Sequence, residues 1–100
     1  MDPLFRLEHL NTKECLWIYT LRILRDGPTH AYTIRKEIEL RYGFKPGTMT
    51  AYKVLYLLKK AGLVKKTRHG RRKVYKITES GRKALADAVR FYKSRIRLLE

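Results

Sequence analysis

The sequence predicts a mainly α fold with one small β wing, and three observations predict it. Apolar residues recur at helical spacing in four separate blocks. Two short segments alternate with period two on either side of a glycine-centred basic tip. The stretch 79–99 carries a regular apolar seam without a proline. Helix and strand patterns exclude each other over the same residues, because side chains realign every ~3.6 residues in a helix and every second residue in a strand.

Each element has its own local reason. Asp2 can cap a short turn over 3–9, and Pro3 suits its first position. Phe5, Leu7 and Leu10 give that turn apolar material to bury. A second helix is expected to start at Asn11, with Glu14 completing a capping-box variant. Cys15, Leu16, Trp17, Ile18, Leu21 and Leu24 make it apolar almost all round, the mark of a helix buried on most sides. Gly27-Pro28 stops it. Over 31–42, Ala31, Ile34, Ile38 and Tyr42 share one stripe, and Gly43 closes the helix. Lys45-Pro46-Gly47 is a turn. Over 48–61, the inward stripe is expected to hold Ala51, Tyr52, Leu55, Leu58 and Ala61, with Gly62 as terminator. Leu63 to Thr67 and Lys73 to Thr78 alternate as strands, and the five residues 68–72 between them suit a hairpin tip. Thr78 can cap the last helix, over 79–99. There Leu85, Val89, Tyr92, Ile96 and Leu99 follow four-three-four-three spacing, a coiled-coil-like seam. This order is a winged helix-turn-helix with a long added helix. Residues 1–78 are expected to form the winged domain with its N-terminal extension, and 79–100 a dimerisation helix.

Charge narrows the partner. From Leu40 to Thr78 there is no aspartate or glutamate, yet these 39 residues hold 12 of the chain's 24 Lys and Arg. The remainder is nearly balanced, with 12 basic and 9 acidic residues. A local cationic field inside a net charge of +15 points to a polyanion. Catalysis and metal binding have no support. His9, His30 and His69 sit in different elements, no carboxylates pair, and Cys15 is alone. No catalytic residue, metal site or cofactor is therefore expected. The lone cysteine suits a reducing compartment. Met1–Leu10 lacks a secretory leader, and no stretch approaches the ~20 apolar residues of a membrane span. A cytoplasmic protein without a membrane partner is the expectation.

Three segments, in order, carry a resemblance. His30-Ala31-Tyr32 with Ile34 comes first, then Thr50-Ala51-Tyr52 with Leu55, Leu58, Gly62 and Leu63. Arg71-Arg72-Lys73-Val74-Tyr75-Lys76-Ile77-Thr78 with Gly81-Arg82 follows. Together, over about 16–92, they resemble the PadR family of transcriptional regulators, in its short type with a single C-terminal helix. Two positions depart from that pattern: Ala31 and Met49 stand where the family usually has glycine. The resemblance implies a homodimer, in which the last helix pairs with its mate and with the other subunit's N-terminal segment. Some members of the family bind planar aromatic compounds near that interface, so Trp17 with Tyr92 is a place for a small aromatic effector.

The expected contacts follow. Thr48, Thr50, Lys53 and Tyr56 are the double-stranded DNA candidates on the 48–61 helix, which would enter the major groove. Lys65, Lys66, Arg68, His69, Arg71, Arg72 and Lys73 are the wing candidates, for phosphates or the minor groove. Periodicity sends the Tyr52 ring inward. Phe5, Leu10, Trp17, Leu85, Val89, Tyr92, Ile96 and Leu99 are the dimer candidates. The expected function is a sequence-specific repressor on a pseudo-palindromic operator. The competing reading is an architectural or weakly specific nucleic-acid binder, because the 48–61 helix has no Arg, Asn or Gln to read bases bidentately. A winged helix used for protein contact is a third class. The acid-free surface opposes it unless the partner is acidic.

Overall fold

The computed structural model describes residues 2–100. Its elements are α1 (Pro3–Asn11), a 3-10 turn (Lys13–Cys15), α2 (Leu16–Arg25), α3 (Ala31–Tyr42), α4 (Thr48–Lys60), β1 (Val64–His69), β2 (Arg72–Ile77) and α5 (Glu79–Leu99). The mainly α fold with a small two-stranded wing is the one read from the sequence. Asp2 caps α1 through Leu4 N–H at 3.0 Å, and Thr78 caps α5 through Gly81 N–H at 3.0 Å.

Leu21, Leu24, Ile34, Ile38 and Leu55 are fully enclosed, and Val64, Tyr75, Ile77 and Leu85 close the core from the hairpin and from α5. β1 and β2 are antiparallel, with Val64 opposite Ile77 and His69 opposite Arg72. The connection before α3 adds one bridge. Thr29 N–H donates to Tyr75 O at 3.1 Å, and Tyr75 N–H donates to Thr29 O at 2.8 Å. The wing root is therefore tied to the start of α3 as well as to α5.

Four local expectations are corrected. The Asn11–Glu14 capping box does not form. Asn11 ends α1 and donates to Leu7 O at 2.8 Å, while Glu14 meets His9 at 3.3 Å. The 3-10 turn then redirects the chain, so α2 starts only at Leu16. The hairpin tip is shorter than 68–72. The ladder runs to His69–Arg72, leaving Gly70-Arg71 as the turn, and Gly70 takes a left-handed φ of 63°. Tyr52 and Ala61 are exposed rather than inward. Leu85 belongs to the protomer's own core at 2% exposure, so it is not part of a subunit interface. The four-three repeat places it on the same stripe as Val89, but Leu85 is buried and Val89 is exposed.

Gly81 lets the start of α5 close onto Leu63 and the end of β2. A Cβ there would overlap the Leu63 carbonyl oxygen and the Ile77 side chain. Thr78 fixes the same corner, its hydroxyl donating to Gly62 O at 2.7 Å and its N–H to Leu63 O at 3.1 Å. Glycine is thus required for close approach, a stronger reason than tolerance of its low helix propensity.

Candidate nucleic-acid interface

The cations of the acid-free segment remain unpaired. Arg41 is the exception, bonded to Asp26 at 2.6 Å and Glu37 at 2.9 Å. None of the other eleven Lys and Arg between Leu40 and Thr78 has an ion-pair partner among the described residues. Elsewhere, Arg22, Arg82, Lys83 and Arg90 are each paired with a carboxylate.

The ladder concentrates the repulsion. Arg68 stands opposite Lys73, and Lys65 opposite Lys76. Like charges directly opposite one another weaken a strand pair. The alternation also sorts the wing. Lys66, Arg68 and Lys73 share the face of Tyr75, and Lys65, His69, Arg72 and Lys76 share the other. Lys66 feels this most. The nearby Lys73 ammonium holds its pKa below the ordinary lysine value, with partial desolvation, Lys59 and Arg68 adding to the effect.

Two hollows lined by both Tyr52 and Tyr75 join this wing to the helices. The larger, about 520 Å³, is lined by His30, Ala31, Tyr32 and Thr33 from the start of α3, Tyr52 from α4, and Arg71, Arg72, Lys73 and Tyr75 from the wing. The second lies between α4 and the wing, lined by Tyr52, Leu55, Tyr56 and Lys59 against Lys66, Lys73 and Tyr75. His30 holds the first hollow together. Its Nδ1–H donates to Lys73 O at 3.1 Å, since a carbonyl can only accept. Burial pushes the Tyr75 hydroxyl up in pKa, so it stays a neutral phenol beneath the cations.

The approach to α4 is set from α3: Arg35 Nε–H donates to Pro46 O at 3.0 Å, and Pro46 is buried. Gly47 is the N-cap and brings no side-chain bond, so the first-turn amides of α4 carry no side-chain cap. Such a helix start presents N–H donors and a positive dipole end to an anion.

The sequence-derived candidates divide between two flanks of α4. Tyr56, Lys66, Arg71, Arg72 and Lys73 are brought together in the two hollows. Thr48 is exposed at the start of α4; Lys65, Arg68 and His69 are exposed on the wing. Thr50 and Lys53 are not gathered with the wing. They line an apolar groove with Trp17, Val54, Leu57 and Ala84. Residues 50 and 52 differ by ~200° around a helix, so they cannot share a flank. The hollows also take in His30, Tyr32, Thr33 and Lys59, which are not among the sequence candidates, and Tyr52, whose ring the sequence pattern sends inward. The spacing of Tyr52, Tyr56 and Lys59 at i, i+4 and i+7 was a usable signal for one exposed stripe.

A second surface has opposite chemistry. In α1, Leu4, Phe5, Leu7 and Leu10 are exposed, and no residue of the helix is buried. On α5, Val89, Phe91, Ile96, Leu98 and Leu99 are exposed, Leu99 at 87%. Between them Tyr92 and Trp17 are half-buried around a hollow also lined by Cys15, Ile18 and Phe91. The Tyr92 hydroxyl donates to Cys15 Sγ at 3.8 Å, and burial with that contact pushes its pKa up to about 12. No helix is long and apolar enough to cross a membrane, and no cluster of His, Cys, Asp and Glu suited to a metal occurs among the described residues.

Known proteins share this fold. The model of the transcriptional regulator PadR-like family matches residues 20–87. A transcriptional regulator from Clostridium thermocellum is similar in structure, with a TM-score of 0.78 and 21% identity over 84% of this chain and 88% of its own. RosR of H. salinarum has a TM-score of 0.69 and 26% identity, over 79% of this chain and 73% of its own. Bacillus subtilis PadR in complex with operator DNA has a TM-score of 0.63 and 27% identity, over 74% of this chain and 46% of its own. None of the curated proteins matches the chain by sequence.

Proposed function

Because the chain belongs to the PadR-like family of transcriptional regulators, we propose that it is a repressor binding double-stranded DNA sequence-specifically, as a homodimer on a pseudo-palindromic operator. Such a protein is a regulator and not an enzyme. The N-terminal end of α4 enters the major groove, and the wing lies along the backbone or in the adjoining minor groove. One observation carries the reading: eleven cations without a carboxylate partner, several of them gathered with tyrosines where α3, α4 and the wing meet. The operator complex of Bacillus subtilis PadR supports the choice of partner.

Two copies would cover what one copy leaves bare. Phe5, Leu10 and Trp17 near the N-terminus, with Val89, Tyr92, Ile96 and Leu99 on α5, form the proposed interface. Burial of such a patch is its ordinary fate in soluble proteins. A two-fold dimer presents two α4 helices and two wings to half-sites about one helical turn apart. The hollow beside Trp17 and Tyr92 is offered to a small aromatic effector. The proposed site of action is the cytoplasm, with no membrane partner, and the absence of a membrane-spanning helix among the described residues is consistent with it.

Selection of bound fragments from random duplex DNA at a stated salt concentration tests the reading. A repressor should recover a pseudo-palindrome bound about 10³-fold or more above random duplex. Recovery of DNA without a shared sequence would support the architectural reading instead, and no recovery would end both.

A further inference from the structure

We infer that Met49 reads thymine in the major groove through the base's C5-methyl group. The inference deepens the DNA-binding reading and rests on it. α4 begins at Thr48, so Met49 lies in its first turn, the part of a recognition helix that meets base edges. Positions 49, 52, 56 and 60 form one stripe at helical spacing, opposite the buried Ala51, Leu55 and Leu58. Met49 is 86% exposed, and Tyr52 and Tyr56 on the same stripe are about half exposed or more.

That stripe is poor in hydrogen-bond readers. α4 contains no Arg, Asn, Gln, Asp or Glu, so the bidentate pairing with adenine and acceptance from cytosine N4 are absent, and guanine is left to lysine alone. What it offers the bases first is a thioether on an unbranched, adaptable side chain. Thymine alone among the four bases presents an apolar group, its methyl, in the major groove. A large apolar residue left in water within the most cationic part of the chain gains free energy by covering that methyl once the cations have docked the helix. Phosphate contacts then supply affinity, and Met49 supplies a preference for thymine at one position in each half-site.

The experiment compares the selected duplex with the same duplex carrying deoxyuridine for thymine, against the unaltered protein and Met49→Ala. If selection yields no shared sequence, an alternating A·T duplex and its A·U counterpart take its place. The unaltered protein should lose about fourfold in affinity per contacted methyl, the worth of one buried methyl group. Met49→Ala, a surface change, should bind the two duplexes equally. A difference caused by duplex shape would persist in Met49→Ala and would overturn the inference. Equal affinity of the unaltered protein for both duplexes would overturn it while leaving DNA binding intact. No affinity for any duplex would remove the DNA-binding reading itself.

Discussion

The wing with α4 and the outer ends of α1 and α5 are both unfinished surfaces, and they are unfinished in opposite ways. On the first, Lys and Arg face each other across a ladder and find no carboxylate. On the second, Leu, Phe and Ile face water. Neither state is favourable in the isolated protomer. Like charges weaken the hairpin, and exposed apolar groups forgo about 25 cal/mol per Å² that burial would return. The contrast matches the two proposed partners by chemistry: a polyanion for one region, a second copy's apolar surface for the other. Among the described residues, Arg22, Arg82, Lys83 and Arg90 are paired out of the twelve cations outside the acid-free segment, against Arg41 alone of the twelve inside it.

Four measurements can break or sharpen that contrast. The largest effect should come from salt. If the wing region makes about six or more phosphate contacts, raising salt from about 50 to 200 mM should weaken duplex binding by about 10³-fold or more. Changing Arg71 and Arg72 to Ala should flatten the log–log slope by about two. A slope unchanged by the double substitution would remove the wing from the interface.

The apolar region is tested by Val89→Asp or Ile96→Asp. Each should give monomers in sedimentation and reduce affinity for a palindromic duplex by about 10²-fold or more, the loss of bivalent binding. A dimer of unchanged mass would show that α5 is covered some other way.

Leu85→Ala divides the helix. It should cost about 2–5 kcal/mol in denaturant unfolding, as a core leucine does, while the mass of the dimer stays the same. If it instead dissociates the dimer with little loss of protomer stability, the assignment of Leu85 to the core is wrong.

The smallest effect concerns Lys66. Its folded-state pKa lies below the ordinary value of 10.5. Between those two values the unfolded chain holds the proton and the folded chain has released it. Stability should therefore rise slightly as pH climbs through that interval. Lys73→Ala, which removes the largest cause, should abolish the rise in the denaturation midpoint. An identical profile in both proteins would place the two ammonium groups apart.

The sequence by itself determined what depends on near neighbours. The span of α3 and that of α5 followed from spacing, from Gly43 and from the Thr78 cap, and the cationic segment needed only counting. Tertiary contact decided the rest. Spacing defines a stripe on a helix, but the neighbour's crossing point decides how much of it is covered. Leu85 and Val89 share a stripe, and only the first is buried. Tyr52 lies ~100° from Ala51, at the margin where a wing could have covered it; the hollow beneath the wing leaves it open. Asn11 and Glu14 had the spacing of a cap, yet α1 ran through Asn11 and took its side chain. Gly81 is a poor helix former, and its reason lies in the Leu63 carbonyl standing where its Cβ would be. In each case the deciding atom is distant in sequence or belongs to another element, and no local pattern encodes its approach.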